Sequence, residues 1–104
     1  MSKEIFEMSK TVEEVLEFEL KHEFHFVEVP DNVPEFIWKN ANGEFVFMDS
    51  MGLDHLKASI GKVNRAITYL DNSNRHKEVK QALLPPAKVK LQELKDMFAE
   101  KTGI

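Results

Sequence analysis

The chain has 104 residues, of which 42% are hydrophobic and 31% are charged. This balance predicts a single folded domain and excludes a disordered chain. The absence of cysteine excludes disulfides, thiol nucleophiles and cysteine-ligated metal sites. The N-terminus lacks the apolar core of a signal peptide, and the longest apolar run, Phe45 to Met48, is far too short to cross a bilayer. We therefore expect a cytoplasmic protein with no membrane association.

The net charge of −4 is unevenly distributed. Residues 1–52 hold four lysines and twelve acidic residues, whereas residues 53–104 hold ten basic and six acidic residues. Such a division favours attraction between the halves, within one chain or between two, although solvated faces account for it equally well. The pI near 5.6 argues against direct DNA binding.

Residues 1–10 are predicted to form a flexible arm, and residues 11–22 a helix that Ser9 or Thr11 caps. Apolar residues cover a wide arc of this helix, which indicates contact with more than one partner. One of those partners is expected to be another chain, and the candidate partner-binding residues are Val12, Leu16 and Phe18.

A small sheet is predicted within residues 24–48. Residues 24–29 alternate weakly, which fits either a third strand or the frayed end of the first helix, and we favour the strand. Two prolines then indicate a loop at residues 30–34. Asn42-Gly43 lies between two aromatic and β-branched runs and predicts a β-hairpin with positive φ at Gly43.

In the second arm of this hairpin, Phe45 and Phe47 share one face, and Val46 and Met48 share the other. One face must be covered, because an isolated hairpin is only marginally stable.

Two helices with apolar seams follow, and they predict an antiparallel helical hairpin over residues 53–70 and 86–101. A short helix from His76 to Leu84 is expected between them, ended by Pro85-Pro86. Gly61 lies inside the first helix and indicates either close packing of another backbone or simple tolerance. The predicted fold class is α+β, with the sheet packed on the helical hairpin. The seams are formed by Leu53, Leu56, Ile60, Val63, Ile67 and Leu70, and by Leu84, Ala87, Leu91, Leu94 and Phe98.

The stretch from Trp38 to Leu70 resembles a pattern found in small bacteriophage and prophage proteins. The residues that carry the resemblance are Trp38, Gly43, Met51, His55, Leu56 and Ile60. It implies a module of a hairpin followed by a helix, in a viral or prophage setting within the host cytoplasm, and it implies no activity. Phe45 and Phe47 depart from the pattern, in which smaller aliphatic residues are usual.

No residue pattern predicts a reaction or a cofactor. His22 and His25 are three residues apart near Glu19, but no third histidine lies close enough to complete a metal site. His55 lies near a helix start, where a histidine more often caps a carbonyl than acts as an acid or base. We therefore expect no catalytic, metal or cofactor-binding residues and a protein that is not an enzyme.

The leading hypothesis is a non-enzymatic binding protein, namely a phage-encoded modulator or inhibitor of a host protein of defence, transcription or replication. The alternative is a small-ligand or nucleotide-binding protein that uses a basic face around the helical hairpin. A third hypothesis is a purely structural oligomer, and a symmetric dimer through the first helix fits the divided charge. The candidate ligand-binding residues of the alternative are Lys62, Arg65, Tyr69, Arg75, Lys77 and Lys80.

Overall fold

The computed structural model describes residues 11–29 and 34–103. The predicted arm at residues 1–10 and all but the last residue of the predicted loop at residues 30–34 lie outside this range. The described elements form an α+β architecture, in which a two-stranded antiparallel sheet precedes two long helices that pack together, as predicted. They are α1 (Val12–Lys21), β1 (Ile37–Lys39), β2 (Phe45–Phe47), a 3-10 turn (Met48–Ser50), α2 (Leu53–Asp71) and α3 (Lys77–Thr102).

Helix α1 begins where the sequence places its cap. The Thr11 hydroxyl accepts a hydrogen bond from the Glu14 amide at 3.2 Å, and the Glu14 carboxylate accepts one from the Thr11 amide at 3.4 Å. This reciprocal capping box satisfies two amides that the first helical turn leaves without partners. The helix ends at Lys21, within one residue of the predicted boundary.

The third strand predicted at residues 24–29 is wrong. Residues 22–27 form turns, because the Phe24 amide donates to the Glu19 carbonyl at 2.8 Å and the Val27 amide donates to the Phe24 carbonyl at 3.0 Å. Phe24, His25 and Phe26 are all buried by this compact path. The alternation of apolar residues therefore reflects burial in a turn and not a pleated strand.

The hairpin is confirmed, including its turn. Ile37 lies opposite Phe47 and Lys39 opposite Phe45 in the antiparallel pair. Gly43 has a φ of 84°, a region that costs a residue with a Cβ about 1–2 kcal/mol. The side-chain oxygen of Asn40 accepts from the amides of residues 42 and 44, both at 3.0 Å, so the turn is held from within.

Helices α2 and α3 form the expected hairpin, but their contact stripes are rotated relative to the predicted seams. Ser59 and Ala66 are buried on α2, whereas Ile60 and Ile67 are only half-buried and Leu53 is 43% exposed. Small side chains on the line of contact let two helices approach closely, which a count of apolar residues does not detect. The fully buried positions shared with the prediction are Leu56, Val63, Leu70, Ala87 and Leu94.

Helix α3 runs unbroken through Pro85 and Pro86, so the predicted division into a short helix and a helix over residues 86–101 is wrong. Each proline removes one amide hydrogen bond, to the carbonyls of Gln81 and Ala82. Both of those residues are exposed, so water can satisfy the carbonyls. Burial of the apolar side chains on either side of the prolines holds the helix together across them. Its C-terminus is capped by Gly103, with a φ of 76°.

No helix within the described residues is long and apolar enough to span a membrane.

Candidate docking face

The hairpin exposes one of its two faces. Val46 and Met48 point to the core with Trp38, which is 3% exposed. Phe45 and Phe47 point the other way, with 47% and 59% of their surfaces exposed. Ile37, which lies opposite Phe47 on this same face, is only 3% exposed, so the exposure of the face is confined to the two rings. Single apolar residues are common on protein surfaces and need no explanation. Two neighbouring exposed aromatic side chains are instead typical of a binding surface. We call Phe45 and Phe47 the aromatic face.

Two lysines of α3 fix the hairpin in place. Lys90 Nζ donates to the Ile37 carbonyl at 2.8 Å, and Lys101 Nζ donates to the carbonyls of Asp49 and Met51 at 2.6 and 2.5 Å. A charged donor makes a stronger hydrogen bond than a neutral one. The aromatic face is therefore presented by an anchored element and not by a free loop.

Sequence reasoning missed these anchors, although a signal for them exists. Lys90 and Lys101 lie at helical spacing in line with the residues of α3 that are buried in the core. The aliphatic part of a lysine side chain can pack along an apolar surface while its ammonium group binds a polar partner beyond that surface. The aligned positions are Val79, Leu83, Ala87, Lys90, Leu94, Met97 and Lys101.

The inner face of the hairpin rests on the turn after α1. The Trp38 ring stacks on Phe26 with centroids 5.4 Å apart and 10° between the planes. His25 meets the edge of Trp38 at 6.2 Å, and its Nδ1 lies 3.2 Å from the His22 carbonyl oxygen. This aromatic stack packs against the inner face of the hairpin, so the exposed side chains on the outer face are held on a rigid base.

A cation, Lys39, borders the aromatic face. Lys39 Nζ lies 6.0 Å from the centre of the Phe45 ring, at the outer limit of a cation–π contact. On the inner face, burial lowers the pKa of His25, and the positive charges of Lys62 and Lys39 lower it further. Within residues 11–29 and 34–103, neither lysine forms an ion pair. The border is therefore positive and uncompensated by the described part of the chain.

The opposite end of the molecule holds a buried ionic cluster that joins α1 to the helical hairpin. Arg75 Nε lies 3.3 Å from Glu19 Oε2, and Tyr69 donates to the same oxygen at 3.0 Å. Arg75 Nη2 in turn donates to the Tyr69 hydroxyl at 3.0 Å. Glu19 is fully buried and Arg75 is 6% exposed. We call these three residues the ionic cluster.

The ionic cluster corrects the predicted basic face. Tyr69 is one of the predicted ligand-binding residues, but it is half-buried and donates a hydrogen bond to Glu19. Burial raises the pKa of Tyr69, and the Glu19 carboxylate beside it raises it further, so the phenol remains a donor. Arg75 is likewise engaged in the interior, and Lys80 donates to the Asp71 carbonyl at 3.2 Å. Of the six predicted ligand-binding residues, Arg65 and Lys77 are exposed and Lys62 is half-buried.

A shallow groove of about 410 Å³ lies on the outer side of α2, lined by Asn64, Arg65, Thr68 and Tyr69. A Cβ added to Gly61 would lie 3.2 Å from Arg65 Nη1. Gly61 thus leaves room for the Arg65 side chain to lie along the helix. This reason for a glycine differs from both sequence-based explanations, which were close packing of another backbone and simple tolerance.

Helix α1 presents the second surface of interest. Val12 and Leu16, two of the predicted partner-binding residues, are half-buried against the core, whereas Phe18 is 36% exposed and stacks on His22 at 4.2 Å. The His22 Nδ1 lies 2.7 Å from the Phe18 carbonyl oxygen. A groove of about 360 Å³ runs beside Leu16 and Leu20. Its border carries Glu13, Glu17, Lys21 and Glu28.

The described residues contain no group of three metal-ligating side chains, and His55 is exposed on the first turn of α2. The other residues that carry the phage resemblance serve the fold. Trp38, Met51 and Leu56 are buried, and Ile60 is half-buried against them.

No protein-family model, no curated protein and no solved structure matches this chain, so its function has to be argued from its own geometry.

Proposed function

We propose that this chain is a non-enzymatic binding protein that docks a partner protein on its aromatic face. The observation that carries the proposal is the exposure of Phe45 and Phe47 on a hairpin whose other face packs on the core through Trp38 and Met48. An apolar ring in water costs free energy that burial against a partner recovers, at about 25 cal/mol per Å². Aromatic side chains on a rigid base dominate many protein interfaces, because they lose little conformational freedom on binding.

The positive border of this face indicates the chemistry of the partner. Lys39 would attract a surface with acidic residues around an apolar centre. Charges at the border of an interface chiefly raise the rate of association and select among partners, while the buried rings supply the affinity. The expected partner surface is therefore an apolar pocket with an acidic border.

The biological setting is part of the same proposal. The resemblance of residues 38–70 to small phage and prophage proteins supports a phage-encoded modulator of a host protein, acting in the host cytoplasm. Modulation by occlusion needs a stable surface and no catalytic group, and an anchored hairpin provides such a surface.

A second candidate function uses the groove on α2. Arg65 at its border and Lys62 one turn away have no ion pair within the described residues, so a small anionic or nucleotide ligand could bind there. A thermal-melt shift with nucleotides that is lost in Arg65→Ala and kept in Lys88→Ala would favour this function. Lys88 is exposed on α3 and serves as the matched control.

The leading proposal is tested by capture from host lysate with three forms of the chain. The double variant Phe45→Thr/Phe47→Thr removes both rings and keeps residues that favour strands. Val89→Thr is the control, because Val89 is a 59% exposed apolar residue of α3 and is not part of the hairpin. We expect at least one host protein to be captured by the unmodified chain and by the control, and to be lost with the double variant. A set of captured proteins that the double variant retains would refute docking through the aromatic face.

A further inference from the structure

We propose that the outer edge of β2 binds an extended segment of the partner protein as a third strand of the sheet. This inference rests on the proposed function, because it names the part of the partner that meets the aromatic face. The two rings account for apolar contact, but they do not determine the backbone conformation of the partner. The backbone of β2 does so, because a strand edge with free amides and carbonyls binds another strand.

Two hydrogen bonds fix the pattern of the ladder between β1 and β2. The Met48 amide donates to the Phe36 carbonyl, and the Asn40 amide donates to the Glu44 carbonyl, both at 2.9 Å. Hydrogen-bonded pairs alternate with non-hydrogen-bonded pairs along an antiparallel ladder. The pairs immediately inside these two are therefore non-hydrogen-bonded. Their amides and carbonyls point away from the opposite strand.

Phe45 and Phe47 belong to these inner pairs, because they lie opposite the two ends of β1. Two side chains bind the inner pairs from outside the hairpin, as this pattern requires. Ser50 Oγ donates to the Phe47 carbonyl at 2.7 Å, and Lys90 Nζ donates to the Ile37 carbonyl at 2.8 Å. Both strands thus direct the backbone groups of these pairs outward.

The two outer edges of the hairpin differ in what binds them. On β1, helix α3 binds the edge at Ile37 through Lys90. On β2, none of residues 11–29 and 34–103 binds the Phe45 amide, the Phe45 carbonyl or the Phe47 amide. We call these three groups the open edge. Phe45 and Phe47 are each about half exposed, so a partner can reach them.

The open edge and the aromatic face together select an extended occupant. An extended chain carries free donors and acceptors at the spacing of a strand, whereas a helix has bonded its backbone groups internally. Alternate side chains of the extended segment would lie beside Phe45 and Phe47, where apolar residues would cover the rings. Lys39 Nζ, 6.0 Å from the centre of the Phe45 ring, favours an acidic residue in the same segment.

Replacement of one amide by an ester tests the pairing and keeps both rings. Phenyllactic acid in place of Phe45 removes the amide hydrogen of the open edge. It also weakens the Glu44 carbonyl, which accepts from Asn40. Lactic acid in place of Ala41 is the matched control. It removes an exposed amide hydrogen that binds no described residue, and it weakens the Asn40 carbonyl, which accepts from Gly43.

The probe is a set of linear peptides of random sequence, each about ten residues long, the upper range of a natural strand. Peptides are kept if they bind the unmodified chain and not the variant Phe45→Thr/Phe47→Thr. We expect the ester at Phe45 to weaken their binding about tenfold, equivalent to about 1.4 kcal/mol, through loss of one backbone hydrogen bond. The ester at Ala41 should leave binding unchanged. Equal binding by the two ester forms, or the absence of any such peptide, would overturn the proposal.

Amide hydrogen exchange of the unmodified chain provides a second measurement, which does not depend on a variant that folds. The Phe45 and Phe47 amides should exchange about tenfold more slowly when a selected peptide is present at about ten times its dissociation constant. The Ala41 amide should exchange at the same rate with and without the peptide. Unchanged exchange at Phe45 and Phe47 would show that the rings bind without strand pairing, and would overturn the proposal.

The same forms of the chain separate this inference from the proposed function. A host protein that is lost with Phe45→Thr/Phe47→Thr but is captured fully by the ester at Phe45 would contradict the inference alone. Peptide pairing at the open edge without capture of any host protein would contradict the proposed function alone. A dimer in light scattering that the ester at Phe45 dissociates would assign the open edge to a second copy of the chain, and would also overturn the inference.

Discussion

The two ends of this molecule use charged and apolar side chains in opposite ways. At the reversal end, the ionic cluster buries a carboxylate and a guanidinium to join α1 to the helical hairpin. At the hairpin end, lysines reach outward to backbone carbonyls while two aromatic rings remain exposed. Buried charge is expensive and holds the fold only while every partner is present, whereas exposed rings contribute little to the fold and are available for binding.

This contrast shows why hydropathy alone does not separate buried from exposed residues here. Glu19 is polar and fully buried, whereas Phe47 is apolar and more than half exposed. A reading by residue type would have assigned the reverse roles. The environment of each side chain decides its role, so the comparison can be tested by substitutions at the two ends.

The largest effect is expected from Glu19→Gln, which removes the charge that balances Arg75 in the interior. Breaking a buried pair on one side costs about 3–5 kcal/mol of unfolding free energy, because the remaining ion stays desolvated. Glu17→Gln is the control, since Glu17 pairs with Lys21 on an exposed surface, where such pairs contribute about 0.5 kcal/mol or less. Urea denaturation compares the two, and equal small losses would show that the ionic cluster does not hold α1.

The next largest effect is the difference in unfolding free energy between substitutions of two neighbouring residues at the end of β2, Phe47 and Met48. Met48 is fully buried, and Met48→Ala should cost about 2–5 kcal/mol through lost contacts and a cavity. Phe47→Thr should change the unfolding free energy by less than about 0.5 kcal/mol, because the ring is exposed. Denaturant titration of both variants gives the answer. A large loss in Phe47→Thr would mean that the aromatic face belongs to the fold and not to a partner.

A smaller effect is expected at the hairpin turn. Gly43→Val places a β-branched residue at a φ of 84°, and the strain should cost about 1–2 kcal/mol. No atom lies within 4 Å of the Cβ position, so the effect isolates backbone strain from steric contact. Ala41→Val in the same turn lacks a positive φ and should be nearly neutral in the same thermal or denaturant unfolding measurement.

The smallest effect concerns pH and His25. Burial lowers its folded pKa below the ordinary 6.5, so the unfolded chain binds a proton more readily than the folded chain does. The contribution to stability is complete above about pH 6.5 and is lost as the pH falls through the lowered pKa. Denaturation midpoints between about pH 7.5 and pH 5 should decline less in His25→Gln than in the control His55→Gln. Equal declines would show that His25 does not titrate as its burial predicts.

Local patterns predicted much of the fold. The cap at Thr11, the turn at Gly43 and the long amphipathic helix α2 follow from residues close together in the chain. The α+β class followed from the order of these elements. Such features depend on backbone preferences that act over a few residues, so they can be predicted without the tertiary structure.

The contacts between residues that are distant in the sequence could not be predicted from the sequence. The turn at residues 22–27 replaced a predicted strand, and α3 continued through two prolines, because packing around those segments outweighed their local preferences. Tyr69 moved from a supposed basic face into the ionic cluster for the same reason: its partners, Glu19 and Arg75, come from α1 and the reversal.

What the sequence determined by itself is therefore the set of elements and the pair of apolar faces of the hairpin. Which face is covered was decided by the tertiary structure alone. Phe45 and Phe47 match Val46 and Met48 in hydrophobicity, and alternation cannot choose between them. The choice depended on where Trp38, Phe26 and α3 lie in space, since these groups fill one side of the sheet and leave the aromatic face to the solvent.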